Sequence, residues 1–326
     1  MACRSRPHFT CARELAGFAL FGLPSTACAP IVVEAFEAPE PVASAPPTCS
    51  APDDDFDGDG TADCLDECPD NAGGSTPTGP CGCSSYADLD ACSELRAALR
   101  NLYTFGGEGT SIIDSRGAAD GRLLHIDEPS AALDTLQRNG HLTLDGQGSY
   151  VDLPDGLISS LGEATFEAWV TWRGGSSWAR IFDFGDNGGT PVDGVTYLFL
   201  TPSSAAGGPV RVAYSLAGPL AETFADGDVA LPIHSGPDDN TPDQVAVVID
   251  RTGASMRLYS NGVEIASTSD SLDLGAIHDV NNWLGRSNYL VDPPLSALLI
   301  EFRIYERALT AAQIDSSYQA GPGALD

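Results

Sequence analysis

From about residue 100 onward, short apolar runs alternate with clusters of Gly, Asp, Asn and Pro, the spacing of an all-β sandwich or barrel. In four of these runs apolar side chains recur at period two, which puts them on one face of a strand. They are Phe166-Glu-Ala168-Trp-Val170-Thr-Trp172, Val195-Thr-Tyr197-Leu-Phe199, Val210-Arg-Val212-Ala-Tyr214 and Val245-Ala-Val247-Val-Ile249. In Met256-Arg-Leu258-Tyr-Ser260-Asn261-Gly262-Val263-Glu-Ile265 an Asn-Gly pair joins two strands, a strong short-range hairpin signal. The run from Leu298 to Tyr305 is continuous enough in apolar content to be a central strand. Two helices are predicted. One falls in residues 86–99, with Leu89, Leu95 and Leu99 as its apolar positions; the other follows Thr310-Ala-Ala-Gln313, a capping-box pattern ahead of Ile314 and Tyr318. So many strands exclude a doubly wound α/β fold.

The pattern changes upstream. The run Asp55-Phe-Asp57-Gly-Asp59-Gly60-Thr61-Ala-Asp63-Cys64-Leu-Asp66-Glu-Cys68-Pro69 places oxygen-bearing side chains at relative positions 1, 3, 5, 9 and 12, with Gly60 at 6. That is the spacing of a calcium loop of EF-hand type. Asp55, Asp57, Asp59, Asp63 and Asp66 would supply carboxylates to Ca2+, and Thr61, at position 7, its backbone carbonyl. Without a cation these carboxylates repel one another, so the loop is expected to fold with its metal. The twelfth ligand is Asp rather than the longer Glu, and neither flank has helical periodicity. The run instead resembles a thrombospondin type 3 repeat, a calcium-wrapped, disulfide-pinned element, although one repeat stands where such repeats usually form arrays. A solvated acidic linker is the alternative use of the same residues.

Composition narrows the setting. With 16 Lys+Arg against 46 Asp+Glu, the formal net charge is −30, which disfavours nucleic acid and anionic membrane surfaces as partners. All nine cysteines lie before residue 93, so a small disulfide-stapled unit is expected ahead of a larger domain with its own core. Their pairing is left open. Zinc is the rival use of the Cys-x-x-x-Cys and Cys-x-Cys spacings, but its ligand pattern fits poorly and the neighbouring acid favours a hard cation. At the N-terminus Arg4, Arg6 and Arg13 precede a short apolar stretch, Leu15 to Leu23, the arrangement of an export signal over residues 1–27. Ser-Thr-Ala-Cys28 resembles a bacterial lipoprotein cleavage box with Cys28 as the lipidated residue, with Ser25 standing where Leu is usual. An ordinary cleaved secretion signal is the alternative. Residues 28–52, rich in Pro and Ala, form a stiff tether with no means of packing a core.

Several segments together resemble a LamG-like jelly roll, the concanavalin A-like sandwich, over residues 98–320. They are Tyr103-Thr-Phe105 with Asp114-Ser, Phe166-Glu-Ala-Trp169-Val, Arg180-Ile-Phe182-Asp-Phe184-Gly, Leu258-Tyr-Ser-Asn-Gly262, Asn282-Trp-Leu284-Gly285-Arg286 and Glu301-Phe-Arg303-Ile-Tyr305-Glu-Arg-Ala308-Leu309-Thr. The resemblance implies the fold and leaves the function open, because this sandwich hosts lectins, adhesion modules and glucanases alike. The expected organisation is thus an all-β jelly-roll sandwich behind a small cystine-rich calcium-binding segment at 53–92.

Enzymes on such a sandwich carry their carboxylates on an acidic Glu-x-Asp-x-x-Glu strand, and no such run occurs here. Glu163 and Glu167 would share a face only if both lie in one strand, and Glu301 and Glu306, five apart, should point to opposite faces. The histidines, His8, His125, His141, His234 and His278, are scattered without metal-ligand or triad spacing. Gly106-Gly-Glu-Gly109 lacks the Lys-Ser/Thr of a phosphate cradle and is a turn. Sugar sites use exposed aromatic faces beside polar groups on loops. Trp178, after Gly174-Gly-Ser-Ser, and Tyr289, in Asn288-Tyr-Leu, fit that description, whereas Trp169, Trp172 and Trp283 fall in strands and are expected in the core. Asp186, Asn187, Asp193, Asp279 and Asn282 are candidates for a second calcium at the rim, with turn chemistry as their other use.

The expectation is an exported, surface-anchored, non-enzymatic calcium-binding protein, secreted or held in the bacterial outer membrane through a lipid. Its LamG-like head would take carbohydrate or an extracellular protein partner in binding or cell adhesion. A ligand-free spacer of the cell envelope and a targeting subunit of a polysaccharide hydrolase are the alternatives.

Overall fold

Alternating apolar positions on successive strands close into two antiparallel sheets that face each other. The structure, a computed structural model, describes residues 89–325 apart from 128–132, 134–135, 139, 190–193, 237–238 and 271. The expected export signal with Cys28, the expected tether, His8 and the run expected to bind calcium, with Asp55, Asp57, Asp59, Thr61, Asp63 and Asp66, lie outside the described residues, as does Asp193. The first sheet runs β14 (Val263–Thr268), β13 (Ser255–Ser260), β12 (Asp243–Asp250), β7 (Ala164–Trp172), β16 (Ser296–Tyr305), β5 (His141–Asp145) and β4 (Gln137–Arg138). β1 (Leu99–Tyr103) pairs with the second half of β16. The second sheet runs β11 (Thr223–Asp226), β10 (Arg211–Ser215), β9 (Thr196–Thr201), β8 (Phe182–Asp186), β15 (Asn281–Leu284), β6 (Ser149–Leu153), β3 (Gly121–His125) and β2 (Ser111–Ile112).

The core sits between the sheets. Phe166, Ala168, Val170 and Trp172 of β7, Val245, Val247 and Ile249 of β12 and Val212 and Tyr214 of β10 all point into it, as period two predicts. At its centre Phe166, Phe182, Phe184 and Phe302 pack with ring centroids 4.8–6.1 Å apart. One strand inverts the expectation. In β9 it is Leu198 and Leu200 that enter the core, while Tyr197 and Phe199 face outward. Both parities of that run are apolar, so alternation alone does not choose. Its register does: Leu198 lies opposite Phe184 and Tyr214, and Leu200 opposite Phe182 and Val212, all of them inward.

β16 is central, and its unbroken apolar run has a physical cause. A register shift between Leu299 and Glu301 inserts an extra residue, so Leu299 faces the core on one side of the bulge and Phe302 and Ile304 on the other. Leu298 and Ile300 turn to the opposite face. At the Asn261-Gly262 turn φ is 48° and 81°, the two positive values that a tight hairpin requires.

Both predicted helices form and lie on the outer face of the first sheet. α1 (Leu89–Ala98) contributes Leu95 and Ala98, and α2 (Ala311–Ala320) contributes Ile314, to an apolar cluster with Ala246, Val248, Tyr259 and Tyr305. Thr310 caps α2 through a full capping box with Gln313. Trp169 leaves the core for this side and stacks on Tyr318 at 6.1 Å and 10°. Beneath α2, Arg303 is fully buried and ion-paired with Glu301 and with Glu167, 3.3 Å away. Tyr305 and Ser317 donate to Glu167 at 2.8 Å, and Gln244 at 2.5 Å. Burial works against the Arg303 charge, but Glu301 and Glu167 hold its pKa well above the ordinary value. Among the described residues no helix is long and apolar enough to cross a membrane.

Candidate functional site

The second sheet turns a row of aromatic and charged side chains outward. With Val212, Leu198, Phe182, Leu284 and Val151 committed to the core, period two sends their strand neighbours to the other face. Cα register aligns Phe224, Ala213, Phe199, Asp183, Trp283 and Asp152 across six adjacent strands. Two loops reach this face from either side, and they carry the two aromatic residues singled out from sequence. Trp178 and Tyr289, 111 positions apart in the chain (289 − 178), both pack on the cluster of Tyr197, Phe199 and Ala213. Both remain partly exposed.

Trp178 owes its position to its backbone. After Gly174 and Gly175, with φ of 84° and 123°, it takes a φ of 71° itself, a conformation that a bulky residue adopts only when its surroundings hold it. Its N–H donates to the Ser203 carbonyl at 2.8 Å, and its own carbonyl accepts from Arg180. Arg180 is the hub. Its guanidinium is 2% exposed, ion-paired with Asp292 at 2.8 Å and Asp183 at 3.4 Å, and 3.9 Å above the Phe199 ring. Arg211 holds Asp226 through two hydrogen bonds of 2.6 and 2.8 Å, lies 3.5 Å from Glu222, and sits 3.9 Å from the Phe224 ring. Trp178 lies between these cations, 5.7 Å from one guanidinium and 5.5 Å from the other.

Tyr289 is placed by the loop that follows β15. Asn288 donates to the Asp183 carboxylate through its N–H at 2.9 Å and its side-chain amide at 2.8 Å, and Asn281 donates to Asn288 at 2.9 Å. This leaves the Tyr289 ring edge-on to Tyr197, with centroids 5.5 Å apart. Tyr289 donates to the Tyr197 hydroxyl at 2.9 Å, which donates to Glu222 at 2.9 Å. Burial pushes the Tyr289 pKa up to about 12 and raises that of Tyr197 further, so both stay protonated donors at neutral pH. Burial also lifts Asp183 to about 6, against the pull of Arg180 and Asn288. The Asp226 hydrogen bonds, working against burial, keep Arg211 charged.

The site therefore combines part-exposed ring faces with two guanidiniums held by four carboxylates, which leaves no unpaired positive charge. Such a surface suits an uncharged ligand with an apolar face and many hydroxyl groups: the rings take the face, and Glu222, Asp226 and Arg211 the hydroxyls.

The remaining candidates fall elsewhere. Trp172 is in the core as expected, Trp169 is under α2, and Trp283 lies on the outer face of β15, each at most 7% exposed. Asp279 accepts from the Ile158 and Ser159 N–H groups at 2.8 and 3.2 Å, and Asn282 donates to the Pro154 carbonyl, so both clasp a turn. Asp186 and Asn187 accept from Gly188 and Gly189 in successive turns, and Asp186 also meets His278 at 2.6 Å. Among the described residues no group of three or more His, Cys, Asp or Glu is placed to hold a metal. Glu163 precedes β7 and accepts from Thr252, Glu167 and Glu301 are buried against Arg303, and Glu306 is exposed. His234 is held between Asp239 and Asp243 at 3.0 and 3.1 Å.

The family described as the concanavalin A-like lectin/glucanases superfamily matches residues 145–315. None of the curated proteins matches the chain in sequence. Among solved structures, it is similar to domain 4 of AbnA, a GH43 extracellular arabinanase from Geobacillus stearothermophilus, in complex with arabinotriose. That match has 23% identity and a TM-score of 0.51, covering 68% of this chain and 98% of the other. The Ruminococcus gnavus IT-sialidase CBM40 bound to alpha2,3 sialyllactose matches at 14% identity and a TM-score of 0.40, covering 65% of this chain and 95% of that one. Trypanosoma rangeli sialidase in complex with sialic acid matches at 14% and 0.48, over 68% of this chain and 33% of the sialidase. The arabinanase domain shares the two-sheet sandwich described above.

Proposed function

Since the chain belongs to the concanavalin A-like lectin/glucanases superfamily, we propose that it is a non-enzymatic carbohydrate-binding protein whose ligand lies against Trp178 and Tyr289. The observation that carries this is their convergence. Two aromatic residues from loops far apart in sequence meet on one outward sheet face, beside carboxylates and guanidiniums already paired and fixed. Preorganised rings and hydrogen-bonding groups bind without first having to be ordered. The same fold in the arabinanase domain, in complex with arabinotriose, supports a sugar ligand. Catalysis is not proposed, because the paired acids Glu167 and Glu301 are fully buried beneath α2 rather than flanking a cleft.

The remaining parts of the proposal come from the sequence. Asp55, Asp57, Asp59, Thr61, Asp63 and Asp66 bind one Ca2+ in a cystine-rich stalk, a segment too small to be stable by apolar burial alone. The chain is exported, and residues 28–52 tether stalk and head to the cell surface, through a lipid on Cys28 if the cleavage box is used.

A glycan array followed by titration of the strongest hit tests the head. Saturable binding to an uncharged oligosaccharide is expected, with Trp178→Ala weakening it about 10- to 50-fold, the loss typical of a central aromatic contact. Binding that Trp178→Ala and Tyr289→Ala leave unchanged places the ligand elsewhere. No binding across the array favours the spacer, and turnover of a polysaccharide by the purified protein overturns the non-enzymatic assignment.

A further inference from the structure

Arg286 stands apart from Arg180 and Arg211. It projects on the same outward side of the second sheet, but its guanidinium lies over two aromatic rings, 4.5 Å from the Tyr150 centroid and 4.2 Å from that of Trp283. The rings brace each other edge-on at 5.7 Å, and Trp283 is fixed by a 2.9 Å hydrogen bond from its indole N–H to Asp152. A cation seated against two fixed aromatic rings loses little side-chain freedom when it binds. Arg180 and Arg211 are each paired with carboxylates at close range, whereas Arg286 has no close ion pair among the described residues, its partners being the Tyr150 hydroxyl and, at longer range, Asp152. Its Nε is buried and has no hydrogen-bond partner. A buried donor left unpaired costs free energy, and a bound acceptor recovers it.

A cleft opens beside this guanidinium, lined by Arg286, Ile126, Ser287, Leu290, Asp292 and Pro294. Its apolar side is Ile126, Leu290 and Pro294. Its polar side is Ser287 and Asp292, already joined to each other at 3.0 Å, with Asp292 neutralised by Arg180. We propose that this cleft is a second binding site, which takes the carboxylate of an acidic sugar residue. A carboxylate matches the two-pronged donor edge of a guanidinium. A single cation, flanked by Asp152 and Asp292 in a chain of net charge −30, is matched to a monoanion and disfavours a phosphate dianion. Sugar hydroxyls find Ser287 Oγ and Asp292 on the same wall, and the ring carbons find Ile126 and Leu290. The cleft adjoins the Trp178 face, sharing Asp292 with Arg180 and Ser287 with the Tyr289 N–H, but its ligand rests on Arg286 and not on Trp178, so substitutions at Arg286 and Trp178 test the two assignments apart.

Glucuronate is the probe. Two-dimensional 15N NMR of the full chain follows the Arg286 Nε–H resonance, with glucose and inorganic phosphate titrated in parallel. Glucuronate is expected to shift this signal saturably and glucose not at all. Arg286→Met should weaken glucuronate binding at least about tenfold by calorimetry, as loss of a charge-assisted pair implies, while Trp178→Ala leaves it unchanged. The Arg286 signal reads the wild-type protein, so the outcome does not hang on how the variant folds. No shift with glucuronate, an equal shift with glucose or phosphate, or glucuronate binding that survives Arg286→Met overturns the proposal.

Discussion

Asp183 shows how one buried group ties the candidate site to stability. Its carboxylate has Arg180, Asn288 and Ser287 around it, and Asp292 shares both Arg180 and Ser287 with it. Burial lifts its pKa to about 6, against an ordinary aspartate value near 3.9. Between those values the folded protein holds a proton that the unfolded chain has released. The stability this contributes is complete below about pH 4 and is lost as pH rises through 6. Asp292, also raised chiefly by burial, acts in the same direction. The stability difference between wild type and Asp183→Asn, from urea melts between pH 4 and pH 7, should therefore favour wild type most at the acid end and shrink towards neutrality. A difference constant with pH would contradict the assignment. Gly194 offers a second test, since a Cβ there would lie 2.7 Å from the Tyr197 ring and 3.1 Å from that of Tyr289. Gly194→Ala should displace both rings and weaken glycan binding several-fold while Trp178 stays in place, and unchanged affinity would remove Tyr289 from the site. Trp178 beyond Gly174-Gly-Ser-Ser and Tyr289 beside Asn288 read as loop residues in the sequence, and the structure places both in loops. Arg180, Arg211, Tyr197 and Glu222 were not legible. They meet through strand register, which the pattern of one strand does not contain.

At the scale of elements, local signals were read well where a single rule decides. The Asn261-Gly262 hairpin, the Thr310 capping box and both helices have short-range causes, and each is found. Face assignment was weaker where both parities are apolar. In β9 the sequence pattern put Tyr197 and Phe199 on one face, and the register makes it the outer one; in β16 a bulge switches the inward parity midway. The face matters for the proposed site, since Tyr197 and Phe199 are the rings on which Trp178 and Tyr289 pack. On the other sheet, α2 is docked over a buried ion cluster rather than an apolar patch alone. Arg303→Met would leave Glu167 and Glu301 buried without their cation and should cost about 3–5 kcal/mol in chemical denaturation. Thr310→Ala removes one cap from an exposed helix end and should cost about 1 kcal/mol. A larger loss for the cap than for the ion cluster would reverse this view of how α2 is held.

At the scale of the molecule the two outer faces have different fates. α1 and α2 occupy one, and the other presents the Trp178 face and the Arg286 cleft. Side-chain pairs hold the Trp178 face, and the Tyr150–Trp283 pair holds Arg286. The calcium loop proposed at residues 55–66 rests on local charge alone, five aspartates whose repulsion a divalent ion would relieve. Calorimetric titration of the full chain with Ca2+ should give one saturable site that Asp57→Ala combined with Asp59→Ala removes. Its affinity should fall with added salt, because a net charge of −30 concentrates cations around the chain and ionic strength screens that field. Glycan binding at Trp178 should persist in chelator at unchanged affinity. If calcium heat is absent, the acidic run is a solvated linker; if chelator abolishes glycan binding, the ion takes part in assembling the head, and the division of labour argued for here fails.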